Sequence, residues 1–219
     1  MASKRSNKKT ARLLAGQTEH SAPADLPHLL RIIGGRWRGT RLRFPVVAAI
    51  RPTPDRVRET LFNWLATVIG GARCLDLFAG SGALGLEALS RGAQEVTFVD
   101  RDPRIAGYLR ETLERLSSTS GKVLVAEAQR FVQETSGPFE VVFLDPPFGS
   151  GLLPSLCAKL QAAGCLAAGA YVYLECEVDA GEPILPPGWT LHRSGRAGKV
   201  GYYLARAAQL KVSLEKSES

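Results

Sequence analysis

The chain has 219 residues, 45% hydrophobic and 22% charged, which predicts one globular domain with additional segments and excludes two full domains. Its net charge of +7 is concentrated in residues 1–58, which hold 13 Lys and Arg against 3 Asp and Glu. This imbalance favours a polyanionic partner, with nucleic acid as the natural candidate.

Several classes of protein are not expected from this composition. The basic N-terminus is followed by no apolar stretch of the kind found in signal peptides, and residues 160–174 are interrupted by two glycines and are too short for a membrane span. Four cysteines, Cys74, Cys157, Cys165 and Cys176, show neither CxxC spacing nor histidine partners. We therefore expect a cytoplasmic protein with reduced cysteines and no metal.

Residues 1–28 are polar and basic, which predicts a disordered tail. From 31 to 44, apolar and basic residues alternate around glycines, so we expect a β-hairpin with an arginine-rich exposed side. We favour packing of Trp37 against the domain over stacking on a base. The residues expected to bind nucleic acid are Arg31, Arg36, Arg38, Arg41, Arg43 and Arg51.

An amphipathic helix is predicted over 54–69, with Thr53 as its cap and Pro54 at its first position. Together with the hairpin it makes residues 29–70 an N-terminal extension that contacts the nucleic acid. Residues 208–219 are expected to form a disordered C-terminal tail.

Residues 71–207 contain strand-length apolar runs that alternate with helical segments. We predict strands at 73–78, 95–100, 122–126, 139–145, 170–176, 189–194 and 200–206, and helices at 82–91, 103–116, 127–135 and 151–163. This order predicts an α/β fold with a doubly wound, mostly parallel seven-stranded sheet. A ligand is expected at the carboxyl ends of its first strands.

A glycine turn follows the first of these strands. Gly80 and Gly82 allow close backbone approach to a ligand, and Asp100 ends the next strand, where it can accept hydrogen bonds from ribose hydroxyls. The glycine spacing alone fits either a dinucleotide or S-adenosylmethionine. Asp76 favours a cationic ligand at the turn, although capping of the turn is an alternative role.

Asp145-Pro146-Pro147-Phe148 ends a buried strand and decides between the cofactors. Its prolines have no N–H, so the Asp carboxylate and a proline carbonyl remain as acceptors in fixed geometry, and the aromatic ring can stack on a base. Acceptors placed in this way orient an exocyclic amine for methylation. Ordinary turn chemistry is the alternative explanation.

With these motifs the sequence resembles class I methyltransferases that carry Asp/Asn-Pro-Pro-aromatic. Residues 31–207 resemble in particular the bacterial RsmD family, which methylates N2 of a guanine in 16S ribosomal RNA. The matching stretches are 31–39, 51–64, 76–82 and 145–148.

This resemblance implies a set of site residues. Asp76, Phe78, Ala79, Gly80 and Gly82 would hold the methionine part of S-adenosylmethionine, Asp100 and Arg101 the ribose side, and Glu127 and Ala128 the adenine. Many relatives carry Asp or Asn where this chain has Glu127. Asp145, Pro146, Pro147 and Phe148 would hold a flipped guanine, whose N2 attacks the methyl group without a covalent enzyme intermediate.

The resemblance also implies that the protein acts as a monomer on 16S ribosomal RNA within an assembling small subunit. Three alternatives remain open from the residues. A DNA adenine-N6 or cytosine-N4 methyltransferase would share the Asp-Pro-Pro-Phe motif. An NAD-linked oxidoreductase fits only the glycine turn, and a non-enzymatic RNA-binding module fits only the basic hairpin.

Overall fold

A computed structural model describes residues 28–45 and 53–207. The expected tails, apart from His28 at the end of the first, and Arg51 lie outside the described residues. Within these two ranges no helix has the length and apolar character needed to cross a bilayer. The strands are β1 (His28–Arg31), β2 (Arg41–Phe44), β3 (Arg73–Asp76), β4 (Glu95–Asp100), β5 (Gly121–Val125), β6 (Phe139–Leu144), β7 (Leu166–Glu177), β8 (Thr190–Ala197) and β9 (Val200–Arg206). The helices are α1 (Asp55–Trp64), α2 (Ala83–Ser90), α3 (Pro103–Arg115), α4 (Ala128–Glu134) and α5 (Leu152–Ala163).

Seven strands form one sheet in the order β5-β4-β3-β6-β7-β9-β8, and only the pairs made by β9 are antiparallel. The chain runs outward from β3 to β5 and then returns to place β6 on the other side of β3. That reversal is the switch point at which doubly wound sheets bind ligands. The predicted fold class is therefore confirmed.

Alternation along the central strands sends successive side chains to opposite faces of the sheet. Cys74 and Val141 belong to the core formed with α1, α2, α3 and the hairpin, whereas Leu75 and Val142 belong to the core formed with α4 and α5. Both faces of the sheet are thus covered, which explains why its strands have no polar side.

The N-terminal hairpin is joined by a short 3-10 helix at Gly35–Trp37. Along β2 exposed arginines alternate with the buried Leu42 and Phe44, which pack into the same core as α2 and α3. Trp37 is partly buried against this core, as we favoured from the sequence. The hairpin is therefore packed on the α/β domain.

Some predicted boundaries differ from the structure. The first helix ends at Trp64 because turns occupy the next residues, up to Gly71 with its positive φ. The predicted 170–176 strand begins at Leu166, which pairs with Phe139 ahead of an irregularity in the ladder. The prediction that Thr53 caps α1 is wrong: Pro54 occupies that position, and the Thr53 hydroxyl donates instead to Glu175 on β7.

Candidate active site

The switch point brings the predicted site residues of β3 and β6 to one edge of the sheet. Asp76, the last residue of β3, pairs in register with Phe143, and Asp145 follows β6 two residues later. Parallel strands end at the same edge, so the two carboxylates lie on neighbouring strands at that edge. The sequence separates them by 69 positions, and the fold removes that separation.

The glycine turn links β3 to α2. Gly80 and Gly82 both adopt positive φ, of 48° and 75°. A Cβ on Gly82 would lie 2.7 Å from Leu109, and one on Gly85 would lie 2.2 Å from Phe98. The second and third glycines of the spacing are therefore required by packing in this protein, whether or not a ligand approaches them.

Asp76 is buried, and its Oδ2 accepts a hydrogen bond of 3.0 Å from the backbone N–H of Gly85. The carboxylate therefore caps the first turn of α2, which was the alternative role considered for it. Burial, with a smaller contribution from Asp100, raises the pKa of Asp76 to about 7. Phe78 is half-buried and Ala79 is buried in the same turn.

Asp100 ends β4 next to this turn. Its two oxygens accept 2.9 Å hydrogen bonds from the backbone N–H groups of Gly80 and Asp102. The carboxylate thus holds the glycine turn, and it keeps lone pairs for further donors because each carboxylate oxygen can accept more than one bond. Arg101 beside it is exposed. At the end of β5, Glu127 is exposed at the N-terminus of α4 and Ala128 is buried.

The Asp-Pro-Pro-Phe segment lies between this turn and a cavity of about 330 Å³. Asp145 is half-buried, Pro146 is buried, and Phe148 remains 49% exposed. The cavity is lined by residues 146–154, 175–177 and 180–184. Its size is that of pockets that hold small organic ligands, and a large exposed aromatic side chain at such a place is suited to stacking.

Glu175 on β7 joins the site beside Asp145. It is 4% exposed, and its Oε1 accepts hydrogen bonds from Thr53 Oγ1 at 3.0 Å and from the Tyr173 hydroxyl at 2.8 Å. Burial, together with the charges of Glu175 and Asp76, raises the pKa of Asp145 well above its usual range. Burial also raises the pKa of Glu175.

Asp76, Asp145 and Glu175 form an acidic cluster at the edge of three adjacent strands, β3, β6 and β7. Among the described side chains, no Lys or Arg forms an ion pair with any of the three. Such a donor set fits a cationic ligand, as the sulfonium and amino group of S-adenosylmethionine would provide, and opposes a pyrophosphate. The chain's own groups therefore fit the cofactor expected from the sequence.

The predicted basic residues of the hairpin have different environments. Arg31 pairs with Asp55 at 3.2 Å, and the guanidinium of Arg36 lies 4.1 Å from the centre of the Trp37 ring. Arg38, Arg41 and Arg43 are exposed, and none of them forms an ion pair within the described part of the chain. The last three are therefore the hairpin arginines that are available to an external anion.

Sequence reasoning missed Glu175 and its link to Thr53. The one signal was a charged residue inside the apolar run 170–176, and the partner that explains it lies 122 residues away. Thr53 was interpreted as a local cap because a Thr-Pro pair before an amphipathic helix is typical of one. Both residues become readable only when β7 and the start of α1 are placed side by side.

Comparison with known proteins gives consistent matches. The family model described as conserved hypothetical protein 95 matches residues 30–206. The ribosomal RNA small subunit methyltransferase D of Escherichia coli strain K12 is 49% identical over 175 residues, which cover 80% of this chain and 88% of that protein. The protein of the same name from Haemophilus influenzae is 42% identical over 180 residues, covering 80% of this chain and 92% of its own length.

A solved structure shows the same architecture. The Escherichia coli protein yhhF, described as a methyltransferase candidate, superposes with a TM-score of 0.79 at 45% identity, covering 84% of this chain and all of that one.

Proposed function

The chain belongs to the ribosomal RNA small subunit methyltransferase D family, and we propose that it methylates the N2 amine of a guanine in 16S ribosomal RNA. The observation that carries this proposal is the Asp145 carboxylate, which accepts no hydrogen bond from any described residue and lies beside Pro146 at the rim of the cavity. An amine with two N–H groups is the complement of such acceptors.

S-adenosylmethionine, when bound, supplies an electrophilic methyl group. Asp76 and the glycine turn are suited to its methionine part, Asp100 and Arg101 to the ribose side, and Glu127 with Ala128 to the adenine, all at the carboxyl ends of β3, β4 and β5. Asp76 contributes a negative charge that a cation lowers in cost.

The target base is held by the Asp-Pro-Pro-Phe segment. Phe148 stacks on the flipped guanine, while the Asp145 carboxylate and the Pro146 carbonyl accept from the N2 amine and turn its nitrogen lone pair toward the methyl group. Pro147 stiffens the backbone that fixes these acceptors. After transfer the amine carries a positive charge, which the acidic cluster stabilises until the proton leaves.

The RNA backbone is contacted by the N-terminal extension through the hairpin arginines, and Arg51 belongs to the same basic segment of the sequence. We further propose that the protein acts in the cytoplasm as a monomer, on 16S ribosomal RNA in an assembling small subunit. The names of the two relatives described above support an RNA substrate over the DNA alternative. The acidic cluster disfavours the NAD-linked alternative.

Purified protein and labelled S-adenosylmethionine test the proposal on three substrates: small-subunit particles lacking the modification, naked 16S ribosomal RNA and duplex DNA. We expect methyl transfer to a guanine N2 in ribosomal RNA and none to DNA. Asp145→Ala is expected to abolish transfer with S-adenosylmethionine affinity nearly intact, because Asp145 orients the acceptor. Transfer to DNA alone, or near-normal turnover of the variant, would contradict the proposal.

A further inference from the structure

Glu175 has an unusual setting for a buried acid. Both described donors, Thr53 and Tyr173, use Oε1, and no described group donates to Oε2. Thr112 Oγ1 is the one fully buried side-chain polar atom without a partner among the described residues, so Oε2 of Glu175 is not sealed from the cavity that Glu175 lines. Two hydroxyl groups thus fix the side chain while one oxygen stays available.

The position of that oxygen follows from the strand register. Leu144 of β6 pairs with Leu174 of β7, so the next residues, Asp145 and Glu175, leave the sheet side by side. Neighbouring strands lie about 4.8 Å apart. Two carboxylates at that spacing can accept from two adjacent N–H groups of one planar ring.

The edge of guanine that carries the 2-amino group has a second donor, the N1–H. Adenine and cytosine instead place a ring-nitrogen acceptor beside their amine, and a carboxylate opposite that acceptor would be repelled. An amine acceptor alone, such as Asp145, does not distinguish these bases. A second fixed carboxylate does.

We propose that Glu175 is a specificity-determining residue, whose Oε2 accepts the N1–H of the target guanine while Asp145 accepts from the 2-amino group. This inference rests on the proposed function. Thr53 and Tyr173 are positioning residues for Glu175, and Thr53 connects the base pocket to the start of α1 in the N-terminal extension.

The test replaces one atom group of the base and one of the protein. RNA carrying 2-aminopurine at the target position keeps the 2-amino group but has an N1 acceptor in place of the N1–H. Single-turnover methyl transfer is measured on guanosine and 2-aminopurine substrates with wild-type protein, Glu175→Gln and Glu175→Asp. Mildly alkaline pH is used because burial raises the pKa of Glu175 and the test needs its carboxylate.

We expect wild-type protein to prefer guanosine by about 10- to 100-fold, the range for one hydrogen bond to a charged group. The preference should fall toward one in Glu175→Gln, because the amide can keep the Thr53 and Tyr173 bonds and present an N–H to N1 of 2-aminopurine. Glu175→Asp should retain part of the preference. The matched control Glu177→Gln removes the same charge from an exposed residue at the end of β7 and should retain the full preference.

If Glu175→Gln slows both substrates equally, Glu175 only supports its neighbours and the assignment is wrong. A wild-type preference near one overturns it as well, even if the variants fail to fold. Wild-type protein that methylates no guanosine RNA would overturn the proposed function itself, which is a separate outcome. Thermal unfolding and calorimetric S-adenosylmethionine binding establish that each variant is folded.

Discussion

Three buried acids set the electrostatics of the site at the scale of single residues. Burial raises the pKa values of Asp76, Asp145 and Glu175, and Asp145 is further raised by the other two. Grouping unpaired carboxylates in a low-dielectric site costs stability, since no described Lys or Arg compensates them. Such a cost is typical of a site prepared for a cationic or donor-rich ligand.

Asp76 gives a prediction with a definite sign. Its pKa rises from 3.8 in the unfolded chain to about 7 in the folded protein. The folded state therefore binds more protons between these values, and the free energy of unfolding falls as pH rises through that window. The loss attributable to Asp76 is on the order of 2–4 kcal/mol.

Asp76→Asn should reduce this pH dependence, because an amide cannot ionise yet can still accept from the Gly85 N–H. Urea unfolding of both proteins between about pH 4 and pH 7 measures it. Asp179→Asn, at an exposed acid, is the matched control and should leave the slope unchanged. An equal slope in the wild type and Asp76→Asn would show that Asp76 is ionised throughout.

At the scale of elements, the hairpin is fixed to the helix that begins at the glycine turn. Glu87 of α2 is fully buried and accepts 2.8 Å hydrogen bonds from the N–H groups of Ile33 and Gly34. Arg58 and Arg91 pair with the same carboxylate. The exposed arginines of the hairpin are thereby held in a fixed relation to the turn that is expected to bind the cofactor.

The exposed face of the hairpin should bind RNA through its charge. Arg41 and Arg43 lie on one face of β2, with Arg31 opposite Arg41 on β1. Replacing Arg41 and Arg43 by Ala should weaken RNA binding across sequences and reduce the salt dependence by up to about two phosphate contacts. Affinity for S-adenosylmethionine should not change.

Filter binding over a series of salt concentrations measures this effect. The paired control Arg130→Ala with Arg196→Ala removes the same charge from α4 and β8, away from the hairpin, and should alter the salt slope less. If both double variants bind RNA with the wild-type slope, the hairpin is a structural cover without an electrostatic role.

At the scale of the whole molecule, the order of strands and helices could be predicted because each is encoded locally. Apolar runs such as 141–144 are of strand length, and the segments between them have helical periodicity. The place of Asp76 and Asp145 at one edge then followed from the rule that parallel strands end together.

Long-range polar contacts could not be predicted in this way. Glu87 has the sequence context of a surface acid on a helix, yet it is buried because two hairpin N–H groups and two arginines satisfy it. Glu175 and Thr53 meet only across the completed fold. Local patterns carry no information about partners that are brought together by strand order.

The central claim is that this protein methylates N2 of one guanine in 16S ribosomal RNA through the Asp145 site. Mass spectrometry of ribosomal RNA from cells lacking the gene tests it most directly. We expect one N2-methylguanosine to be missing from the small-subunit RNA, restored by the wild-type gene and not by Asp145→Ala. An unchanged set of modified guanosines, or restoration by Asp145→Ala, would contradict the account.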